Sequence, residues 1–294
     1  MKHLKHQINR LISSFPPLKL TMAATPTPRS RHRAGYEIII ALLMGAICHI
    51  LFTVAVIAMI LNMWSGMSLG KGNIPYPWSW IVNCLLLFQF PIVHSFLLTK
   101  VGNRLVEKLA PHKTGATLFT TIFAIIASTQ LLLLFVIWTP SGTTFWRAEG
   151  WLLWIITSLY ILNWLFLIKA SWDAGAEVQS GMLGWLSLFR SVKPHYPPMP
   201  IKGTFKYIRH PIYLAFALTT WTVPTWTPDQ LLLACVLTTY CVIGPLAKEK
   251  RLKLRYGINW ELYKSNTPFW IPSLRRRKRS NFVYLKNIPD HDLN

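Results

Sequence analysis

Six runs of apolar residues, separated by short polar segments, dominate the chain. They cover residues 38–63, 78–98, 116–138, 151–168, 212–223 and 229–246. A helix needs about 20 residues to cross the hydrocarbon core of a bilayer, and the first four runs meet that length. The pattern predicts an all-α protein, a polytopic transmembrane bundle of about six helices. A C-terminal helical hairpin and a cytoplasmic amphipathic tail complete the predicted fold.

The run 212–223 is too short to cross a bilayer alone. It becomes long enough if its helix begins near Thr204 and carries Arg209 and His210 through the headgroup region, where basic side chains reach water. Pro211 would then interrupt the backbone hydrogen bonds close to the start of the helix. Broken helices at membrane depth persist where protein or a cavity satisfies the freed carbonyls. We therefore expect a ligand site at this position.

The basic residues indicate the orientation of the runs. If the N-terminus is cytoplasmic, 29 of the 31 Lys and Arg residues fall on the cytoplasmic side and 2 on the other. This is the asymmetry that the positive-inside rule describes, so we expect a multi-pass protein with both termini in the cytoplasm. The net charge of +21 favours anionic membrane lipid as a partner. Nucleic acid is disfavoured, because the basic residues form no continuous face.

Composition divides the chain into four predicted parts. Residues 1–34 are basic and contain no acid, which favours a disordered arm, with an organelle transit peptide as the alternative. Residues 35–170 form a four-helix transmembrane region, and 171–272 form a loop, the hairpin and the tail around a cofactor site. Residues 273–294 form a basic, disordered tail. The four cysteines lie in apolar runs without metal-ligand spacing, so no metal is expected.

The tail after the last run has an amphipathic pattern. Leu252, Tyr256, Trp260 and Tyr263 recur at helical spacing and give one aromatic face. Such a pattern predicts a single helix that lies on the membrane or closes over a site.

The densest polar pattern is Arg209-His210-Pro211-Ile212-Tyr213, followed after the hairpin by Lys248-Glu249 and Tyr256-Gly257. Arg, His, Tyr and Glu are costly to hold together at the mouth of a membrane hairpin unless they serve a function. A purely structural alternative remains open, in which Arg209 and His210 anchor lipid phosphates and Glu249 pairs with lysines.

The order of these motifs over residues 194–272 resembles the C-terminal half of the integral-membrane methyltransferase superfamily. That superfamily includes isoprenylcysteine carboxyl, phospholipid N- and methanethiol S-methyltransferases. The chain most resembles the last group, through His94-Ser95 and the segments 181–186 and 196–200. The resemblance implies an enzyme that transfers a methyl group from S-adenosylmethionine to a small or lipophilic thiol, such as methanethiol, giving dimethyl sulfide.

The resemblance also implies the site. The residues it assigns to S-adenosylmethionine are Gly203, Arg209, His210, Pro211, Ile212, Tyr213 and Glu249. The family usually carries paired glutamates where this chain has Lys248-Glu249. Lys248 would repel a sulfonium, so either Glu249 alone serves the cofactor, or cofactor binding is weaker, or this subfamily has changed.

Methyl transfer from a sulfonium is a direct displacement that needs neither a metal nor a covalent enzyme intermediate. It depends on holding donor and acceptor close together in a dry site. A thiol reacts as its thiolate, so Arg209 is predicted to stabilise that anion and His94 to accept its proton. His94 has a structural alternative as a polar helix end. Methylation of a prenylcysteine carboxylate or a phospholipid amine, a membrane sterol reductase, and a non-catalytic membrane protein or permease stay open as alternatives.

Overall fold

The computed structural model describes residues 35–111 and 114–272, so the predicted arms at 1–34 and 273–294 lie outside the described residues. Ten helices, one 3₁₀ turn and two short strands are found in these ranges. The elements are α1 (Gly35–Trp64), α2 (Trp78–Leu97), α3 (Lys100–Lys108), α4 (Gly115–Ile137), β1 (Trp146–Arg147), α5 (Gly150–Asp173), α6 (Ala176–Gln179), α7 (Met182–Arg190), the 3₁₀ turn Gly203–Lys206, α8 (Pro211–Trp221), β2 (Thr225–Trp226), α9 (Pro228–Tyr256) and α10 (Ile258–Asn266).

Within the described ranges, five helices are long and apolar enough to cross a membrane, namely α1, α2, α4, α5 and α9. Helix α8 is apolar but only 11 residues long. The predicted all-α polytopic bundle is confirmed. A small antiparallel ribbon, in which Trp146 pairs with Trp226 and Arg147 with Thr225, was not predicted.

The chain folds as two compact units. The described part of the first comprises 35–147, 175–197 and 225–230, and that of the second comprises 148–174, 198–224 and 231–272. The predicted division into domains follows other boundaries and stays a prediction.

In the first unit, α1 packs along α4, and the short helix α7 packs against both. Polar contacts hold the turn before α7 in place. The Thr121 hydroxyl donates to the Gly181 carbonyl at 2.7 Å and accepts from the backbone N–H of Trp185 at 2.8 Å. The Cys48 thiol donates to the Ser180 carbonyl. The segment 176–190 is therefore packed against helices long enough to span a membrane, and backbone at that depth must find its partners in the protein.

In the second unit, α8 packs against α5 and forms the predicted hairpin with α9. The Trp221 indole N–H donates to the Thr238 hydroxyl at 2.8 Å across this hairpin, and Asn163 of α5 donates to Thr222 at 3.1 Å.

The expected start of the fifth helix near Thr204 is wrong. The helix begins at Pro211, and a separate 3₁₀ turn covers Gly203–Lys206. Proline has no N–H to donate and a φ suited to the first helical position, and it disfavours helical geometry in the residue before it. His210 accordingly has φ −127° and ψ 56°. Pro211 therefore starts the helix and does not interrupt it.

The single helix expected through Leu252 and Tyr263 is also wrong, because Gly257, at φ +51°, separates α9 from α10. The aromatic face survives the break. Trp260 and Tyr263 are buried with Met199. This face forms a small core of the second unit.

Candidate active site

The segment that leads to His210 is anchored at the end of α5. Gly203 has φ +57°, and a Cβ at this position would overlap the Asp173 carboxyl group. The same carboxylate accepts from the Thr204 N–H at 2.8 Å and pairs with Lys169. Glycine is required here both for the left-handed backbone conformation and for the close approach of the carboxylate.

His210 and Arg209 meet one carboxylate of α9. His210 Nε2 lies 2.9 Å and Arg209 Nε 3.0 Å from Glu249 Oε1. The second oxygen, Oε2, lies 2.9 Å from Lys264 Nζ. The side chains of His210 and Glu249 are 1% and 8% exposed, so the pair is removed from bulk water. Charge-assisted hydrogen bonds of this kind are stronger than neutral ones.

Arg209 also holds the segment that follows α10. Its Nη1 donates to the Lys264 carbonyl at 3.2 Å and to the Thr267 carbonyl. Its backbone N–H donates to the Pro268 carbonyl at 2.8 Å. The planar guanidinium, with several donors in fixed directions, suits such a task. Arg209 therefore links α9 to the segment at 264–268.

Aromatic rings surround His210. The ring centroid of Phe269 lies 4.8 Å and that of Tyr213 6.0 Å from the imidazole. The Tyr263 hydroxyl donates to the Phe205 carbonyl at 2.7 Å and ties α10 to the 3₁₀ turn. The rings of Phe269 and Tyr213 thus give the imidazole apolar neighbours in addition to the Glu249 carboxylate.

Burial lowers the pKa of His210 to about 4, with the positive charges of Lys248 and Arg209 acting in the same direction and Glu249 opposing them. The imidazole is therefore neutral near pH 7. A neutral ring that donates through Nε2 to Glu249 leaves Nδ1 as an acceptor. This nitrogen is buried and has no partner among the described residues, and the same holds for the Thr267 hydroxyl.

An unpaired buried acceptor is costly to keep, so His210 Nδ1 marks a place where a ligand's N–H or O–H can bind. The fit to a metal is poorer. Within 35–111 and 114–272, no group of three or more His, Cys, Asp or Glu side chains is placed to hold a metal ion.

The structure brings Arg209, His210, Tyr213 and Glu249 together. Pro211 and Ile212 begin the helix beside them, and Gly203 lies against Asp173. Lys248 faces Tyr213, with Nζ 5.9 Å from the ring centroid. His94 belongs to the other unit, where its ring contacts Phe90 and Phe123 at centroid distances of 5.1 and 4.8 Å.

Sequence reasoning missed Asp173, Lys264, Thr267 and Phe269 as parts of this arrangement. The segment Pro268-Phe269-Trp270, a proline followed by two aromatic residues, is a usable signal for Phe269. Asp173 and Lys264 carry no local signal for this arrangement, because the partners that tie them to it, Thr204 and Glu249, lie 31 and 15 residues away.

Comparison with known proteins gives relatives over most of the chain. The chain is 26% identical over 242 residues to the methanethiol S-methyltransferase of Pseudomonas sp. (strain GM41(2012)), and the match covers 80% of this chain and 92% of that protein. It is 27% identical over 206 residues to the methanethiol S-methyltransferase of Pseudomonas deceptionensis, covering 70% and 77%. Nurim of Rattus norvegicus is 28% identical over 171 residues, covering 53% and 61%. No family model and no solved structure matches the chain.

Proposed function

We propose that this chain, a membrane methyltransferase related to the methanethiol S-methyltransferases, transfers a methyl group from S-adenosylmethionine to a small thiol. Methanethiol is the favoured acceptor and dimethyl sulfide the product. The prediction of a membrane methyltransferase, made from the motifs in 194–272, is confirmed by the relatives. The cofactor, the acceptor and the residue roles are proposals.

The observation that carries the proposal is His210 Nδ1, a buried acceptor without a partner among the described residues, set between Tyr213 and Phe269. S-Adenosylmethionine presents N–H and O–H donors for such a nitrogen and an adenine ring for aromatic neighbours. When bound, it supplies an activated methyl group on a sulfonium. His210, Tyr213 and Phe269 are the residues that would hold it.

Glu249 orients the site. Both of its oxygens accept from cationic or imidazole donors, so His210 is fixed in one tautomer and Arg209 in one direction. A contact between Glu249 and the cofactor stays a prediction. A residue that aligns the binding groups contributes to rate by keeping the reactants in a reactive arrangement.

The positive charge around Glu249 suits an anionic acceptor. Arg209 and Lys264 contact the Glu249 carboxylate, and Lys248 adds a third positive charge nearby. A thiolate is the reactive form of a thiol, and positive charge stabilises it. We propose that Arg209 contributes to this field while its hydrogen bonds hold the segment at 264–268. His94 as the proton acceptor stays a prediction.

The test is methyl transfer by the full chain in lipid nanodiscs, using S-adenosylmethionine with a labelled methyl group. Methanethiol, a prenylcysteine and phosphatidylethanolamine are supplied separately. We expect label in dimethyl sulfide. Label confined to the prenylcysteine ester or the lipid amine would replace the thiol by one of those acceptors.

Calorimetric titration with S-adenosylmethionine tests the cofactor directly. Saturable heat from the parent protein supports the proposal, and its absence would favour a non-catalytic membrane protein. Lys248→Glu is the informative variant. Binding that appears only after this substitution would mean that the native chain lacks this activity.

We also propose that both termini are cytoplasmic, so that the end of α9 carrying Glu249 is on the cytosolic side. The support is the distribution of Lys and Arg, 29 on one side and 2 on the other. Single cysteines placed at Lys71 and at Lys250 in a cysteine-free chain test it. A membrane-impermeant maleimide applied from outside should label only the first.

A further inference from the structure

Helix α7 brings an indole to an imidazole that takes no part in the site of the second unit. Trp185 Nε1 donates to His49 Nε2 at 3.0 Å, and the two rings meet edge to face with centroids 5.9 Å apart. His49 lies midway along α1, one of the helices long and apolar enough to cross a membrane. An ionisable side chain at that depth is costly and points to a function.

Gly45 makes this contact possible. A Cβ at residue 45 would lie 2.7 Å from the Trp185 ring, so a larger residue would displace the indole. Gly45 and His49 are one helical turn apart on the same face of α1. The indole lies against the first and reaches the second.

The hydrogen bond from Trp185 fixes the state of His49. Because Nε2 accepts, the ring is neutral and Nδ1 carries the hydrogen. The described part of the chain provides no acceptor for this second N–H. His49 is therefore left with one hydrogen-bond donor to offer.

A cavity of about 630 Å³ opens beside the His49–Trp185 pair, within the range of about 300–1,000 Å³ found for small-molecule sites. We call it the α1 groove. Its walls include Leu42, Ile50 and Val54, and the last two are 63% and 46% exposed. On a membrane-crossing helix, exposed apolar side chains of this kind face lipid, so the groove is open to molecules dissolved in the bilayer.

The donor and the apolar walls together define the occupant. A carbonyl oxygen accepts a hydrogen bond and brings no donor of its own. A hydroxyl or amide would also bring an N–H or O–H. Among the side chains that line the groove, the Thr53 hydroxyl is the one left to accept from it, and a donor that does not reach Thr53 stays unpaired at a cost of about a few kcal/mol. We propose that the α1 groove binds a lipophilic carbonyl compound of the membrane, a ketone or quinone, whose oxygen accepts from His49 Nδ1 and whose body lies against Trp185.

The first unit contains a matched control. A second cavity, of about 360 Å³, lies on α2 and is lined by Trp80, Ile81, Cys84, Leu85 and Phe88. It also combines an indole with apolar side chains, but no imidazole is among its lining residues. A ligand held by apolar contact alone should bind the α1 groove and the α2 cavity equally well.

The experiment uses the full chain in lipid nanodiscs with an alkyl-substituted benzophenone, which is itself a lipophilic ketone and labels its neighbours on irradiation. Labelled peptides are located by mass spectrometry. We expect saturable labelling at 42–54 and 185 that exceeds labelling at 80–88. A non-photoreactive quinone should compete for it, and a hydrocarbon of equal size should not.

His49→Phe should lower labelling of the α1 groove about fivefold, the weight of one neutral hydrogen bond. His49→Gln keeps an acceptor for Trp185 and a donor for the ligand, and should retain most of the labelling. Equal labelling of both grooves, equal competition by hydrocarbon, or no loss in His49→Phe would each overturn the proposal. If His49→Phe does not fold, competition on the parent and on His49→Gln decides. Methyl transfer is not the readout, so the outcome is independent of the proposed enzyme activity.

Discussion

The two units bury their polar groups in different ways. In the first, two of the long-range contacts join uncharged amide groups. Gln130 Nε2 donates to Gln89 Oε1 at 2.7 Å, and the Asn83 amide donates to the Thr139 carbonyl at 2.8 Å. In the second, Glu249 meets Arg209 and two further partners.

The two arrangements differ in how they respond to pH and to ligands. Paired amides stay neutral at every pH and fix the register of helices that cross the membrane. Their measured contributions in membrane proteins are small, about 0.6 kcal/mol on average. A carboxylate shared by a guanidinium and an imidazole responds to protons and to ligands. The amide pairs thus fix helix contacts in the first unit, whereas the Glu249 cluster of the second unit combines groups that can respond to protons and ligands.

The largest effect is expected from Glu249→Gln. It leaves Arg209 and Lys264 without a counter-charge, and loss of one partner from a buried ion pair costs about 3–5 kcal/mol. Thermal unfolding in nanodiscs and methyl transfer should both show severe loss. The control is Glu261→Gln, which breaks the exposed pair with Lys253 and should change neither. Equal effects of the two substitutions would contradict the special place given to Glu249.

His210→Gln should weaken S-adenosylmethionine binding about 10- to 100-fold, the range for a lost hydrogen bond to a charged group. Titration calorimetry measures it. His94→Gln, in the other unit, should leave the dissociation constant unchanged and lower turnover if His94 accepts the thiol proton. Unchanged cofactor binding in His210→Gln would remove the imidazole from the site.

Acidification should destabilise the second unit. The pKa of His210 is lowered to about 4 in the folded chain, against roughly 6.5 when unfolded. Between these values the unfolded chain binds the extra proton, so stability falls as pH drops, by about 2 kcal/mol from pH 6.5 to 5. Thermal unfolding of the parent and of His210→Gln across this range measures the difference. Identical slopes would contradict a buried neutral imidazole.

Gly203→Ala should cost more than about 1 kcal/mol, because alanine disfavours positive φ and its Cβ would overlap the Asp173 carboxyl. Adding Asp173→Ala should remove the overlap and recover part of the loss. Thermal unfolding of the two single variants and the double variant provides the cycle. If the losses of stability in the two single variants simply add in the double variant, the Asp173 carboxylate is not what disfavours alanine at residue 203.

The smallest effect is expected from Gln130→Met in the first unit. Loss of its bonds to Gln89 should lower stability by about 0.6 kcal/mol and leave cofactor binding unchanged. Thermal unfolding and calorimetry on the same preparation measure both. A loss as large as that of Glu249→Gln would end the distinction between the units.

The sequence predicted most of the helices, because an apolar run of sufficient length has few alternatives in a membrane. The predicted helix boundaries were wrong at Pro211 and at Gly257, where the backbone preferences of proline and glycine determine where a helix begins or ends. Nor did the sequence indicate that the apolar patch of α7 packs against α1 and α4, since Trp185 and His49 are 136 residues apart.

The central residues of the candidate site could be predicted, because the Arg209-His210-Pro211 motif and Glu249 are polar residues that flank two apolar runs. The partners Asp173 and Lys264 were not, because a single acid or lysine in a loop or helix end resembles any solvated charge. Such residues gain meaning only from the fold that places them.

The hold of Arg209 on the carbonyls of Lys264, Thr267 and Pro268 has a consequence for biosynthesis. A nascent chain that has inserted α8 and α9 still lacks these acceptors and the Lys264 ammonium. The full cluster therefore forms only after residues 264–267 have left the ribosome, the last of them 58 residues beyond Arg209. Until then the guanidinium has Glu249 as its partner but lacks the carbonyls that hold its Nη1, so the cluster is completed only late in synthesis.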